Sequence, residues 1–340
     1  MTPTNKKRIL LFLKIVAVLV VLAIALPIGL FYFSLNYRVS IGEYKKWYEG
    51  VNTEVQEGDV KVQFAGITTL LISDDSTTIL TDGFFSRFPS EQFYFDSVAP
   101  KMEDISWALE RLGNPKIDAV FTGHSHFDHA MDAPEVAKRT GAMLYGSKST
   151  ANIARGWQLP EQQIRLVADK QPVQIGRFTV TPILSNHFIG LAEDGKPQFP
   201  KDTIDEENLE PLVPPVKIGA YKMGGAYNFL VTHPSDTFLI VPSAGWRKGS
   251  MENIRADKIL LGIGGFGAQT AEYQSLYFQE TVDKVQANQI YLIHWDGFSG
   301  PIQEPMTGPA LFLDYFGIKT KKAFESVERE VRQRPEVKVN

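Results

Sequence analysis

Thr122-Gly123-His124-Ser125-His126-Phe127-Asp128-His129 packs three of the six histidines into six positions, directly after a strand-like run at residues 117–122. A strand that ends at glycine throws the following side chains into a tight turn. His124 and His126 can then converge on one ion, while Asp128 and His129 turn toward a neighbouring point. The chain has no cysteine, so disulfides, zinc ribbons, iron–sulfur clusters and thiol nucleophiles are all excluded, and any metal must sit on imidazole and carboxylate. Those are the ligands zinc takes when thiolate is unavailable.

On either side of this stretch, strands and helices alternate. Short β-branched segments at 60–66, 68–73 and 77–81 read as a meander entering a sheet. A helix is expected over 102–112, where Ile105, Leu109 and Leu112 keep helical spacing until Gly113-Asn114-Pro115 stops it. Helix–strand pairs then recur at 133–139 with 142–145, 251–255 with 258–263, and 271–288 with 289–294. The fold class is therefore α/β with sheet at the centre. Residues 191–225, rich in proline, glycine and acidic groups, are too long for an ordinary connection and read as a lid or a solvated insertion. Residues 320–340 read as a surface helix to about 332 followed by a fraying tail.

The amino-terminal segment differs in kind. Residues 15–33 form an uninterrupted apolar run of 19, long enough at about 1.5 Å per residue to cross a bilayer. Lys6, Lys7, Arg8 and Lys14 precede it and Tyr32 and Tyr37 mark the far interface. The positive-inside rule leaves residues 1–37 as a cytoplasmic tip and membrane anchor, with a linker at 38–58 and the body, 59–319, outside the cytoplasm. A cleaved signal peptide is the competing expectation. Residues 1–40 hold five basic and no acidic groups, so the remainder carries a net charge of −9 and is not a nucleic-acid binder by charge.

The His124-x-His126-x-Asp128-His129 pattern resembles the signature of the metallo-β-lactamase fold superfamily, whose members are αββα sandwiches with metals at one sheet edge. The likeness continues in order along the chain through Asp82 in Thr81-Asp82-Gly83, His187 in Ser185-Asn186-His187 and His294 in His294-Trp295-Asp296. These forms are more similar to the lactonase-like and phospholipase-like branch than to true β-lactamases. The resemblance implies a hydrolase with one zinc on His124, His126 and His187 and a second near Asp128, His129 and His294. Asp128 would also accept or relay a proton, and Asp82 would orient a ligand histidine from behind. Ester, lactone, amide and phosphodiester bonds all suit such a site, on a small-molecule or lipid-derived substrate.

One departure stands out. The superfamily places a metal-bridging aspartate after the strand at 238–241, but here the chain reads Pro242-Ser243-Ala244-Gly245-Trp246, with Ala244 about where the carboxylate belongs. The two metal positions are expected to be unequal, with Asp296 a candidate compensation. That departure also keeps open a degenerate member that binds without turnover. A di-iron oxidoreductase on the same fold would want a carboxylate at His126. Gly262-Ile263-Gly264-Gly265-Phe266-Gly267 literally fits a dinucleotide fingerprint, but no acidic residue follows at the ribose distance, and it reads as a structural loop. No G-x-S-x-G elbow occurs. His233, in a hairpin turn, reads as a surface residue.

Overall fold

The computed structural model describes residues 3–47, 60–188, 206–303 and 306–340. It opens with helix α1 (Pro3–Asn36), whose residues 7–33 are exposed on every side. The first sheet contains β1 (Lys61–Phe64), β2 (Leu70–Ser73), β3 (Thr78–Thr81), β4 (Ala119–Phe121), β5 (Met143–Gly146) and β6 (Ile164–Leu166), side by side in sequence order. Between them lie α2 (Ser90–Phe95), α3 (Met102–Arg111), α4 (Phe127–Ala130), α5 (Ala133–Thr140) and α6 (Lys148–Gly156). The second sheet runs β13-β12-β11-β10-β9-β8-β7, built from β7 (Val173–Ile175), β8 (Phe178–Ser185), β9 (Ala226–His233), β10 (Asp236–Val241), β11 (Lys258–Gly262), β12 (Gln289–Ile293) and β13 (Lys338–Val339). Helices α7 (Ala271–Phe278), α8 (Leu311–Leu313) and α9 (Thr320–Arg332) complete the described α-helices. In each sheet an antiparallel meander leads into parallel strands.

Side-chain alternation explains why two sheets stack between helices. Leu70, Ile72, Ile79 and Phe121 point from the first sheet toward Phe178, Phe229, Phe238 and Ile240 of the second. Their neighbours Leu71, Leu80 and Val120 face the other way, onto Ile105, Val136 and Ala151 of the helices. Leu239, Val241, Ile259 and Leu261 likewise turn from the second sheet onto Tyr277, Phe278 and Phe324. A slip of one residue would exchange these faces, and each fully buried apolar side chain contributes about 1.5–3 kcal/mol. The expected αββα layering is what forms.

Several local expectations change. Residues 251–255 make turns rather than a helix, with Met251 and Ala256 buried beneath them. The tail does not fray, because β13 pairs with β12 and extends the sheet, and α9 buries Ala323, Phe324 and Val327 in the core beside β11. Residues 38–47, expected within a linker, are packed: Val39 and Ile41 join that core, and Val39 N–H donates to Pro309 O at 3.0 Å. The rest of that linker, 48–58, lies outside the described residues, as does 191–205 of the expected lid. The described part of that segment, from 206 on, is largely surface-exposed up to residue 220 but is tied to the body by specific contacts. Leu212 N–H donates to Asn152 O on α6 at 3.1 Å, and a Cβ on Gly156 would stand 1.8 Å from Leu212 O.

Candidate metal centre

Strand direction gathers the site. Strands β3 and β4 run parallel, as do β10, β11 and β12, while β8 is antiparallel to β9 and so runs with β10. The residues just beyond β3, β4, β8, β10 and β12 therefore come from carboxyl ends, the crevice where open α/β sheets place ligands. Asp82 and His294 each follow their strand by one residue in the left-handed backbone region, at φ 54° and 58°. Such strain in a non-glycine residue persists only where surrounding contacts hold it. His294 N–H donates to Ile67 O at 2.6 Å, and Ile67 N–H donates to Asp296 Oδ1 at 2.8 Å.

Two triads result. One ligand atom each from His124, His126 and His187 lie within 4.8 Å of one another, and the same holds for Asp128, His129 and His294. In the first, His124 Nε2 stands 3.1 Å from His126 Nδ1, while His187 Nδ1 meets Phe188 O at 2.7 Å, an arrangement that leaves its Nε2 as an acceptor. In the second, Asp128 Oδ2 is 3.7 Å from His129 Nε2 and 3.6 Å from His294 Nε2. Donors about 2.0–2.2 Å from a tetrahedral ion stand roughly 3.4 Å apart, so these separations suit one.

His129 gives the sharpest test of fit. Its Nδ1 lies 2.9 Å from Asp82 Oδ2, so the ring carries its proton there and presents a bare Nε2 lone pair inward. That Nε2 is buried with no hydrogen-bond partner. A buried orphan acceptor costs about 1–3 kcal/mol, and a cation at this point would remove the cost. Asp82 is itself held by Gly123 N–H at 2.7 Å and by Thr68 Oγ1, which also lies 2.9 Å from His129 Nδ1.

Electrostatics agree with a cation-binding role. Burial, aided by neighbouring imidazoles, lowers the histidine pKa values, to about 3 for His126, about 4 for His294 and well below the usual value for His124 and His129. The rings therefore stay neutral and able to ligate. Burial pushes Asp128 up to about 7 and Asp82 well above the carboxylate range. The charge these carboxylates would carry is what a divalent ion offsets.

The sequence-predicted residues thus gather as two triads with Asp82 behind His129, but Asp296 lies apart from both. Its carboxylate accepts from Ile67 N–H and faces Arg87 at 4.0 Å, so it braces the loop under His294 rather than replacing a ligand. Burial raises it to about 6, with Arg87 opposing. Ala244 is fully buried in the apolar core, whereas Ser243 Oγ accepts from Phe188 N–H at 3.2 Å beside His187. Position 243, not 244, therefore faces the site. The glycine run after β11 has a local role: a Cβ on Gly264 would stand 2.6 Å from His294 Nδ1. Sequence reasoning missed Thr68, Arg87 and Asp132, the last of which anchors the Phe85 and Ser86 N–H groups at 2.8 and 2.6 Å. None belongs to a motif. His233 is a correction, being buried at 4% exposure with Nε2 3.3 Å from Asp74 Oδ2 and Nδ1 2.8 Å from Ser235 Oγ.

Comparison with known proteins gives a consistent result. Residues 77–203 match a family model described as a beta-lactamase superfamily domain. A UPF0173 metal-dependent hydrolase of Anaeromyxobacter sp. (strain K) is 32% identical over 83 residues, 24% of this chain and 30% of that protein. One from Staphylococcus aureus (strain JH9) is 27% identical over 93 residues, 27% of this chain and 33% of that one. The chain thus spans about a third of the length of these relatives. Among solved structures, the metallo hydrolase Igni18 of Ignicoccus hospitalis is 16% identical, with TM-score 0.40 over 70% of this chain and 83% of that one. CmlA, a diiron β-hydroxylase of Streptomyces venezuelae, is 13% identical, with TM-score 0.45 over 83% and 52%.

Proposed function

We propose that this chain, whose residues 77–203 match a beta-lactamase superfamily domain, is a metal-dependent hydrolase acting at a membrane surface on an ester, lactone, amide or phosphodiester bond. The observation that carries the reading is the pair of ligand triads, with His129 oriented by Asp82 so that its buried Nε2 faces inward. Zinc suits the donor set of imidazole and carboxylate, with His124, His126 and His187 holding one ion and Asp128, His129 and His294 a second. Ions bound there supply Lewis acidity and make water nucleophilic near neutral pH.

The chain's own residues do the rest. Asp82 fixes the tautomer of His129, and the Phe188 carbonyl fixes that of His187. Asp128, placed between His129 and His294, is suited by position to take a proton from an attacking water and return it to a leaving group. Arg87 lies within the electrostatic reach of Asp128 and favours its charged form. Helix α1 would span the bilayer, its residues Lys7–Asn36 being long and apolar enough. A substrate drawn from lipid suits that placement. The second reading, a metal binder without turnover, is favoured only by the missing carboxylate at 242–246.

The test is the full chain purified in detergent, assayed for metal content and against ester, lactone and phosphodiester substrates, alongside His126→Ala. Hydrolysis that disappears in the variant together with metal, while circular dichroism is retained, is the expected result. Metal retained without turnover on any substrate would favour the binder, and unchanged activity in His126→Ala would sink the hydrolase.

A further inference from the structure

Beside the metal centre, and lined by none of the six candidate ligands, a cavity of about 500 Å³ opens between the edge strand β1, α3 and the loop after Asp296. Three guanidinium groups, Arg38, Arg87 and Arg111, line it, and among the described residues Asp296 is its only carboxylate. Arg87 is 7% exposed. Its Nη1 donates to Ser86 O at 3.2 Å, but Nη2 stands 4.0 Å from Asp296 Oδ2, beyond hydrogen-bond distance. A guanidinium has five N–H donors, so this buried cation keeps donors that no described group accepts. Asp132, Asp104 and Asp128 also act on Arg87 electrostatically, yet none of them lines the cavity, and the first two accept from backbone N–H groups.

The backbone is shaped around these cations. A Cβ on Gly66, at φ +107°, would lie 2.8 Å from Arg87 Nη2, and one on Gly300, at φ +98°, 3.0 Å from Arg38 Nη2. Both glycines lie at positive φ, a backbone conformation that residues with a Cβ rarely adopt, so the loops flanking the guanidinium groups depend on them. Arg38 donates to Ser299 Oγ, which ties the cavity wall to the chain leaving α1. Trp107, Ile302 and Met306 add apolar surface to the lining.

Its place relative to α1 is fixed by contact. Arg38 bridges Ala310, Leu311 N–H donates to Tyr37 O at 2.8 Å, and the Phe31 and Phe312 rings meet at 5.5 Å. Phe31 lies five residues before the end of α1, about 7.5 Å down its axis. Elements in contact share a depth, so if α1 spans a bilayer, Arg38 and the cavity it lines sit near the lipid headgroups. That placement rests on the membrane reading above.

We propose that this cavity binds the phosphate group of an amphiphile, its oxygens bonded by Arg87 and Arg111 with Arg38 alongside, and its first apolar segment against Trp107, Ile302 and Met306. Forked guanidinium donors match phosphate oxygens in geometry and charge, and the volume suits a headgroup.

The test uses the metal-loaded full chain in non-ionic detergent micelles, titrated with dioleoyl phosphatidic acid or with inorganic phosphate, beside Arg111→Glu and Arg38→Gln. Arg111 is exposed at the end of α3, so its reversal spares the fold. Saturable phosphatidic acid binding, weakened at least tenfold by Arg111→Glu and severalfold by Arg38→Gln at unchanged metal content, is expected. Binding of inorganic phosphate at least tenfold weaker than that of the lipid supports a bilayer source. Equal affinity overturns that source. Binding of both probes unaffected by either variant overturns the cavity itself, since phosphate at the metal centre would not feel these changes. If alkaline washing without detergent releases the chain from membranes while Arg111-dependent phosphate binding persists, the membrane reading fails and the cavity stands.

Discussion

Replacing Asp82 with asparagine isolates what a carboxylate behind His129 does, because the two side chains have nearly the same shape. Asp82 Oδ1 accepts from Gly123 N–H at 2.7 Å, and an asparagine oxygen can keep that bond. Its Oδ2 lies 2.9 Å from His129 Nδ1, and an amide NH2 placed there would donate where the carboxylate accepts. His129 then shifts its proton to Nε2, the atom 3.7 Å from Asp128 Oδ2, and loses the lone pair that faces the second triad. Removing an orienting partner of this kind costs about 10–100-fold in metal affinity, roughly 1.4–2.8 kcal/mol. The Gly123 bond survives, and the Thr68 hydroxyl, which donates to Oδ2 in the unmodified protein, can turn to accept from the amide and donate to the freed His129 Nδ1 2.9 Å away, so unfolding temperature changes little. Asp82→Ala behaves differently, leaving Gly123 N–H and Thr68 Oγ1 without their buried acceptor and destabilising the fold by about 1–3 kcal/mol for each unpaired group. Competition of a chromogenic chelator with the purified protein measures the affinity, and thermal unfolding the stability. An unchanged second-site affinity in Asp82→Asn would refute the orienting role, and a large loss of stability in that variant would show that Asp82 is structural.

Ser243 and Ala244 separate two accounts of the missing carboxylate. The unmodified protein is expected to hold one ion more tightly than the other, Ser243→Asp to narrow the gap, and Ala244→Asp to lower the unfolding temperature by burying a charge among apolar groups, all readable by metal titration and calorimetry. Apparent metal affinity should also depend on pH through Asp128. Burial raises its pKa to about 7 and a cation binds the ionised form, so affinity falls about tenfold per unit as pH drops below 7 and levels off above it. A flat profile between pH 5 and 7 would show that Asp128 is not a ligand. Alkaline phosphatase fused after Asn340 should be active in cells and green fluorescent protein dark, as expected for a body outside the cytoplasm; the reverse pattern would invert the topology.

The alternating strands and helices were legible because each face of a sheet imposes period two and each helix period near 3.6 on its own residues. Local pattern was weaker where a partner lay far along the chain. The hairpin between β9 and β10 was correctly read, but His233 is the last residue of β9 rather than part of its turn, and the residue that makes it a buried group is Asp74, 159 positions earlier. Residues 251–255 carry apolar groups at helical spacing, but the chain there only caps the core beneath it.

The metal motif divides along the same line. His124, His126, Asp128 and His129 share one turn, so their chemistry is written within a few residues, and their ordering with Asp82, His187 and His294 is what resembles the metallo-β-lactamase fold superfamily. Which nitrogen of His129 faces inward is not written there. It follows from Asp82, 47 positions away, meeting the ring across two parallel strands, with Thr68 closing the same corner. The facing of residue 243 rather than 244, the bracing of His294 by Ile67 and Asp296, and the gathering of Arg38, Arg87 and Arg111 around one cavity are likewise products of tertiary structure. Sequence determines which groups a chain can offer and in what local order, whereas their direction and proton state depend on packing against segments that no local period connects.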